Sequence, residues 1–156
     1  MKADEFERLY SAEAQGLFAF LVYRTGDRAL AEDLLADAFE RALRGKFNPR
    51  RGSAKTWLYA IGLNVLRDHA RRAAAEGRAY ARVVSGEGRD PFAGVEARDE
   101  LGRALAGLAA EEREAIALRF GAELTLPEMA DVLGLPLTTV EGRVYRALRK
   151  LREALA

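Results

Sequence analysis

The sequence predicts an all-α protein of two small helical domains joined by a flexible linker. Apolar residues recur at helical spacing through most of the chain, in a composition that is 49% hydrophobic and 31% charged. The 156 residues suffice for one medium domain or two small ones. The clearest break in the helical pattern is SGEGRDP, from Ser85 to Pro91. We therefore predict domains at residues 1–75 and 99–156, with a linker at 76–98.

The first unit begins with two predicted helices, Asp4 to Tyr23 and Leu30 to Leu43, which are separated by Gly26-Asp27. Asp33, Asp37 and Glu40 follow one another at i, i+4 and i+7, so they share one outer face of the second helix. From the residues alone, this acidic face is as readily a solvated surface as a functional one.

A basic loop, Gly45 to Lys55, precedes a third predicted helix that spans Thr56 to Arg72. Phe47 lies inside the loop, where it either stacks on an unpaired base or packs on the core. On the helix, Asn64 shares a stripe with Arg67 and Arg71. An amide can read a base edge and a guanidinium can hold a phosphate, so this stripe is a candidate nucleic-acid surface.

The second unit ends in a predicted helix-turn-helix from Thr125 to Leu155, after helices at Asp99–Leu108 and Ala110–Phe120. Two pairs have the spacing of a capping box, Thr125 with Glu128 and Thr138 with Glu141. Gly134-Leu135-Pro136 ends the first helix and begins the turn. In a helix-turn-helix, the second helix enters the major groove of DNA.

The second helix of this motif has an apolar stripe and a cationic face. Thr139, Gly142, Arg146 and Arg149 lie opposite the stripe, with Arg143 and Lys150 on a flank. The alternative is a solvated basic face on an ordinary terminal helix. The two capping boxes and the turn favour DNA binding.

Composition and motifs exclude several other classes. The chain has no cysteine and a net charge of +1, so it predicts neither disulfides nor thiolate metal sites, and DNA affinity must come from local charge. No run approaches the ~20 apolar residues of a membrane span, and the acidic N-terminus is not a signal peptide. No catalytic grouping is present. We expect a cytoplasmic, non-enzymatic protein with no cofactor, metal, small-molecule substrate or membrane contact.

Four motifs in series resemble the extracytoplasmic-function (ECF, group IV) sigma factors of bacterial RNA polymerase. The first three begin at Ala31-Glu32-Asp33-Leu34-Leu35, Thr56-Trp57-Leu58-Tyr59 and Arg113-Glu114-Ala115-Ile116. The fourth begins at Met129-Ala130 and runs through Leu133-Gly134 into Thr139-Val140-Glu141-Gly142-Arg143. The resemblance implies a sigma-2-like domain, a linker and a sigma-4-like domain. It also implies that the chain directs promoter recognition, melting of the −10 element and initiation of transcription.

The resemblance also assigns residues to three surfaces. Core polymerase would be bound through its β′ clamp helices and β flap, and the residues implied for binding polymerase are Glu32, Asp33, Leu34, Asp37 and Glu40. Those implied for the single-stranded −10 element are Phe47, Asn48, Arg50, Arg51, Lys55, Asn64, Arg67, Arg71 and Arg72. Those implied for the duplex −35 element are Thr138, Thr139, Glu141, Gly142, Arg143, Arg146, Arg149 and Lys150.

The family resemblance further implies an anti-sigma protein as a partner in the resting state. The chain departs from the family at two places. It has Ala36 where the family often has Gln, and Glu141-Gly142 where the family commonly has Lys-Ser. Glu141 either accepts a hydrogen bond from a cytosine amino group or only caps the helix with Thr138.

The alternative function is a stand-alone helix-turn-helix regulator that binds duplex operators. Such a regulator would leave the unit around Trp57 without a role.

Overall fold

The computed structural model describes residues 1–77 and 96–156, with side chains in the second range from residue 100 onward. Every regular element in these ranges is helical, which confirms the all-α prediction. The linker prediction falls mainly on residues 78–95, outside the described residues. The helices are α1 (Ala3–Thr25), α2 (Arg28–Arg44), α3 (Ala54–Ala75), α4 (Glu96–Ala106), α5 (Ala110–Ile116), α6 (Leu126–Leu133) and α7 (Leu137–Leu155).

Short polar side chains begin the helices of the first unit. The backbone N–H of Leu30 donates to the Asp27 carboxylate at 3.1 Å, and that of Thr56 donates to the Ser53 hydroxyl at 3.1 Å. Each bond satisfies an N–H that has no partner within its own helix. A short 3₁₀ turn, Pro49–Arg51, lies in the basic loop between α2 and α3.

The first capping box of the helix-turn-helix forms as predicted. The Thr125 backbone N–H donates to the Glu128 carboxylate at 2.8 Å, and the Glu128 N–H donates to the Thr125 hydroxyl at 3.2 Å. Gly134 ends α6 in the left-handed region, with φ of 65°, which a side chain would strain. The predicted helix-turn-helix is therefore present.

The second predicted capping box is wrong. The N-cap of α7 is Pro136, which makes no side-chain capping bond, and the helix already begins at Leu137. Thr138 and Glu141 therefore lie inside the first turns, so Glu141 is not the capping partner of Thr138. The helix predicted over Ala110–Phe120 also divides, because a π-helical turn, Ala117–Gly121, follows α5.

The two predicted units pack against each other around one buried cluster. Leu17, Phe20 and Tyr59 of the first unit are buried in the same cluster as Leu118 and Met129 of the second. A smaller cluster joins α4, α5 and α7 around Leu105, Leu108, Ile116 and Ala147. Within the described residues, none of the helices is long and apolar enough to cross a membrane.

Candidate nucleic-acid interface

Phe47 and Trp57 form an aromatic pair where the basic loop meets α3. Their ring centroids are 5.4 Å apart, and both side chains are half-buried. A Cβ on Gly45 would lie 2.9 Å from the Trp57 ring, so the lack of a side chain at Gly45 makes room for the indole. Phe47 thus packs on the protein and also keeps part of its ring at the surface.

A surface cavity of about 480 Å³ opens beside these rings. Phe47, Asn48, Arg51 and Trp57 line it, so it combines aromatic faces with an amide and a guanidinium. The Asn48 side chain also accepts a hydrogen bond from the backbone N–H of Arg50 at 3.0 Å, which orders the loop. Rings that can stack and cations that can hold phosphate suit an unpaired nucleotide.

The stripe predicted on α3 continues from this cavity. Asn64 is exposed and lines a second, smaller opening beside Trp57. Farther along the helix, Arg72 is exposed, and Arg71 pairs with Asp68. A hydrogen bond from Arg41 lowers the pKa of the Asp68 carboxyl. The ionised Asp68 therefore orients Arg71 at the helix surface.

Lys55 and Arg67, both predicted to contact the −10 element, instead pair with carboxylates of the second unit. The Lys55 ammonium lies 3.5 Å from Glu128 of α6, and the Arg67 guanidinium lies 3.1 Å from Glu114 of α5. Glu114 is 8% exposed and also accepts from Arg24 of α1 at 3.2 Å. In this structure each of these cations therefore already has an anionic partner.

The exposed face of α7 carries half of the eight residues predicted to read the −35 element. Thr138, Glu141, Arg146 and Arg149 are exposed. The Arg146 guanidinium lies over Gly142, where a Cβ would meet its Nη1 atom at 3.0 Å. The glycine therefore gives the arginine room to lie along the helix.

Tyr145 is a surface residue of α7 that sequence reasoning missed. Its side chain is 66% exposed. It follows Thr138 and Glu141 by seven and four positions and precedes Arg149 by four, so helical spacing already placed it on the same face. Its ring and hydroxyl add a large contact group beside Arg146.

Two cations of α7 face α5. The Arg143 guanidinium lies 3.3 Å from Glu111, and the Lys150 ammonium lies 2.8 Å from Glu112. Burial opposes ionisation of Glu112, but hydrogen bonds from Lys150 and from the Ala109 N–H outweigh it and lower the pKa of this carboxyl. Arg143 and Lys150 were both predicted to contact the −35 element. In this structure they instead form ion pairs that hold α7 against α5.

The acidic face of α2 is largely accessible. Glu32, Asp33 and Glu40 are exposed, whereas Asp37 is half-buried and pairs with Arg41 at 3.3 Å. Leu34 is only 4% exposed and belongs to the core, so it supports the face from beneath. Leu34 therefore does not lie on the predicted polymerase-binding surface in this structure.

Comparisons with known proteins cover the same two units. The family model for sigma-70 region 2 matches residues 9–76, and that for sigma-70 region 4 matches residues 104–153. The ECF RNA polymerase sigma factor BldN of Streptomyces coelicolor is 32% identical over 99% of this chain, which spans 61% of the length of BldN. The RNA polymerase sigma factor CnrH of Cupriavidus metallidurans is 34% identical over 99% of this chain and 97% of its own.

The solved structure of CnrH in complex with the cytosolic domain of CnrY is also similar, at 30% identity and a TM-score of 0.70. The likeness covers 99% of this chain and 89% of that one. A stand-alone helix-turn-helix regulator would account for the region 4 match but not for region 2. The chain therefore belongs to the ECF group of the sigma-70 family and is an RNA polymerase sigma factor.

Proposed function

We propose that the two units of this sigma factor act on different parts of one promoter. The first unit would capture the non-template strand of the −10 element, and the second would read the −35 element as duplex. The observation that carries this proposal is the contrast between the two surfaces. One is a cavity lined by Phe47 and Trp57, and the other is the exposed face of a recognition helix.

Strand opening is the step assigned to the first unit. Unstacking a base costs a few kcal/mol, and stacking on an aromatic ring recovers about 1–3 kcal/mol per base. Phe47 and Trp57 supply the rings, while Asn48 and Asn64 supply amides that can contact base edges. Arg50 and Arg51 are exposed in the same loop, and Arg72 is exposed farther along α3, where they could hold phosphates. This set of groups favours an unpaired strand over a duplex.

Duplex reading is the step assigned to α7. Thr138, Thr139, Glu141, Tyr145, Arg146 and Arg149 would face the major groove. With the capping role of Glu141 removed, its exposed carboxylate becomes a candidate acceptor for a cytosine amino group. Arg143 and Lys150 would set the angle of α7 through their pairs with α5.

Partners follow from the family and the surfaces. Core polymerase would bind the acidic face around Glu32, Asp33 and Glu40 through its β′ clamp helices, and its β flap would contact the second unit. The resemblance to CnrH, solved with the cytosolic domain of CnrY, supports a protein that holds the factor in its resting state. The protein would work in the cytoplasm as a binding factor without a catalytic site of its own.

Reconstituted transcription tests this function. The purified chain is added to core polymerase with fragmented genomic DNA of the source organism, and RNA 5′ ends are sequenced. We expect start sites that share a −35 and a −10 element and that are absent with core polymerase alone. Failure to bind core polymerase, or a set of start sites without a shared element, would refute the proposal.

A further inference from the structure

Gly142 is the one glycine in α7, and its position does not favour the helix. It lies on the outer side, nearly opposite the buried Val140, Val144 and Ala147. A glycine inside a helix loses more backbone entropy on folding than an alanine, so it lowers stability. Its φ lies outside the left-handed region, so the backbone does not require a glycine here. The reason for this residue must therefore lie in what surrounds it.

The space that a side chain at residue 142 would fill is taken by Arg146. A Cβ on Gly142 would lie 3.0 Å from Nη1 of Arg146, 3.7 Å from its Cζ and 3.8 Å from its Nη2. Arg146 follows by four positions, and helical side chains lean toward the N-terminus, so the guanidinium covers the preceding turn. The charge of Arg146 therefore lies closer to the start of α7 than its own Cα does.

The cations that flank Arg146 are already paired, whereas Arg146 is not. Arg143 lies 3.3 Å from Glu111, and Lys150 lies 2.8 Å from Glu112. In the part of the chain that the structure describes, the Arg146 guanidinium has neither a hydrogen bond nor an ion pair. Its N–H donors are therefore available to a ligand that presents acceptor atoms.

We propose that Gly142 is a positioning residue for base recognition: it lets the Arg146 guanidinium reach the edge of a guanine in the −35 duplex. The inference rests on the proposed function, because it assumes that α7 enters the major groove. In a helix-turn-helix, the N-terminal residues of the second helix contact base edges. Guanine offers two acceptors, O6 and N7, that match two N–H groups of one guanidinium. An arginine that leans back over Gly142 reads this base instead of holding a phosphate.

A methyl group at residue 142 would disturb the arginine but not the helix. Heavy atoms in contact lie about 3.5–4.0 Å apart, so a Cβ would displace the Arg146 guanidinium. The displaced atoms are the far end of a flexible side chain, and the backbone can stay in place. A site that depends on hydrogen-bond geometry tolerates a displacement of only about 0.5 Å. Gly142→Ala should therefore raise stability and yet lower specificity, a combination that a folding defect does not produce.

The test uses holoenzyme that is assembled from the full-length chain and core polymerase. The probe is a duplex promoter, found by reconstituted transcription, in which the −35 element is randomised, and the bound fragments are sequenced. With the unaltered chain we expect guanine to be favoured about tenfold at one position. Gly142→Ala and Arg146→Ala should each remove most of this preference at the same position. Melts followed by circular dichroism should show a higher thermal midpoint for Gly142→Ala.

The double variant, Gly142→Ala with Arg146→Ala, separates positioning of the arginine from close approach of the backbone to the groove. If Gly142 acts through Arg146, the alanine at residue 142 costs no further affinity once Arg146 is gone. A loss as large as that in the otherwise unaltered chain would overturn the proposal, because the glycine would then serve the backbone. Gly121→Ala is the matched control, since a Cβ there meets no atom within 4 Å, and it should leave base preference unchanged.

Two other results would also overturn the proposal. One is an unchanged preference for guanine in Gly142→Ala. The other is equal weakening of all −35 sequences by Arg146→Ala, which would identify a phosphate contact. If the unaltered holoenzyme selects a −35 element and initiates, these results refute only the positioning role. If it selects no −35 element, the proposed function fails, and this inference fails with it.

Discussion

At the scale of single residues, the basic side chains fall into two groups. Arg146 and Arg149 of α7 are exposed on the face that would meet DNA, whereas Arg143 and Lys150 of the same helix pair with Glu111 and Glu112. Sequence spacing placed the first pair opposite the apolar stripe and the second on a flank. It did not reveal that Glu111 and Glu112 of α5 lie where this flank of α7 packs.

Substitution of Arg146 tests the reading face. We expect Arg146→Ala to raise the dissociation constant for a −35 duplex about tenfold, because one charge-assisted contact is lost. Fluorescence anisotropy with polymerase-bound factor measures it. Arg8→Ala, which removes another exposed arginine, from α1, is the control and should change the constant little. Equal effects of the two substitutions would contradict the assignment of α7.

Asn64 tests the division of labour between the units. We expect Asn64→Ala to slow formation of the open complex while leaving affinity for the −35 duplex unchanged, because the amide lies beside Trp57 on the first unit. A stopped-flow signal from 2-aminopurine in the −10 element follows opening. A loss of duplex affinity as large as that caused by Arg146→Ala would show that the two surfaces do not act separately.

At the scale of elements, the helix-turn-helix was the most predictable part of the chain. Its first cap and its Gly134 turn are local signals, formed by residues three or four positions apart, and both are confirmed. The second cap failed because Pro136 already supplies extended backbone before the helix, which moves the N-cap two residues ahead of Thr138. The π-helical turn after α5 has no comparable local signal.

The ion pair between Lys150 of α7 and Glu112 of α5 requires an ionised Glu112. A carboxyl whose pKa is lower in the folded chain stabilises the fold above its unfolded pKa, and that contribution is lost as pH falls through the folded value. Since the pKa of Glu112 lies below its ordinary value of 4.5, the thermal midpoint should fall as the solution is acidified below that value.

The Glu112→Gln variant isolates this contribution. We expect it to lose about 1–3 kcal/mol of stability at neutral pH, because Lys150 loses its anionic partner. Its midpoint should then depend less on pH than that of the unaltered chain, in melts followed by circular dichroism. The exposed Glu153→Gln change should leave the acid sensitivity intact. A pH dependence of equal size in Glu112→Gln would rule out Glu112 as its source.

At the scale of the whole molecule, the all-α class and the family were predictable, and the packing of the two units was not. Arg67 was predicted to contact phosphate because it lies on a cationic stripe of the third helix, and Lys55 because it ends the basic loop. Their partners lie in the second unit, where the sequence placed Glu128 only in a capping box and Glu114 only in a family motif. A charged face reads the same in sequence whether it meets DNA, a protein or another part of its own chain.

We propose that the protein opens promoter DNA only together with core polymerase. Permanganate reactivity of unpaired thymines in the −10 element measures this most directly, on a promoter found by reconstituted transcription. We predict reactive non-template thymines with the chain and core polymerase together, and unreactive ones with either alone. Tight binding of the chain alone to a duplex operator, with no reactive thymines after core polymerase is added, would contradict the account.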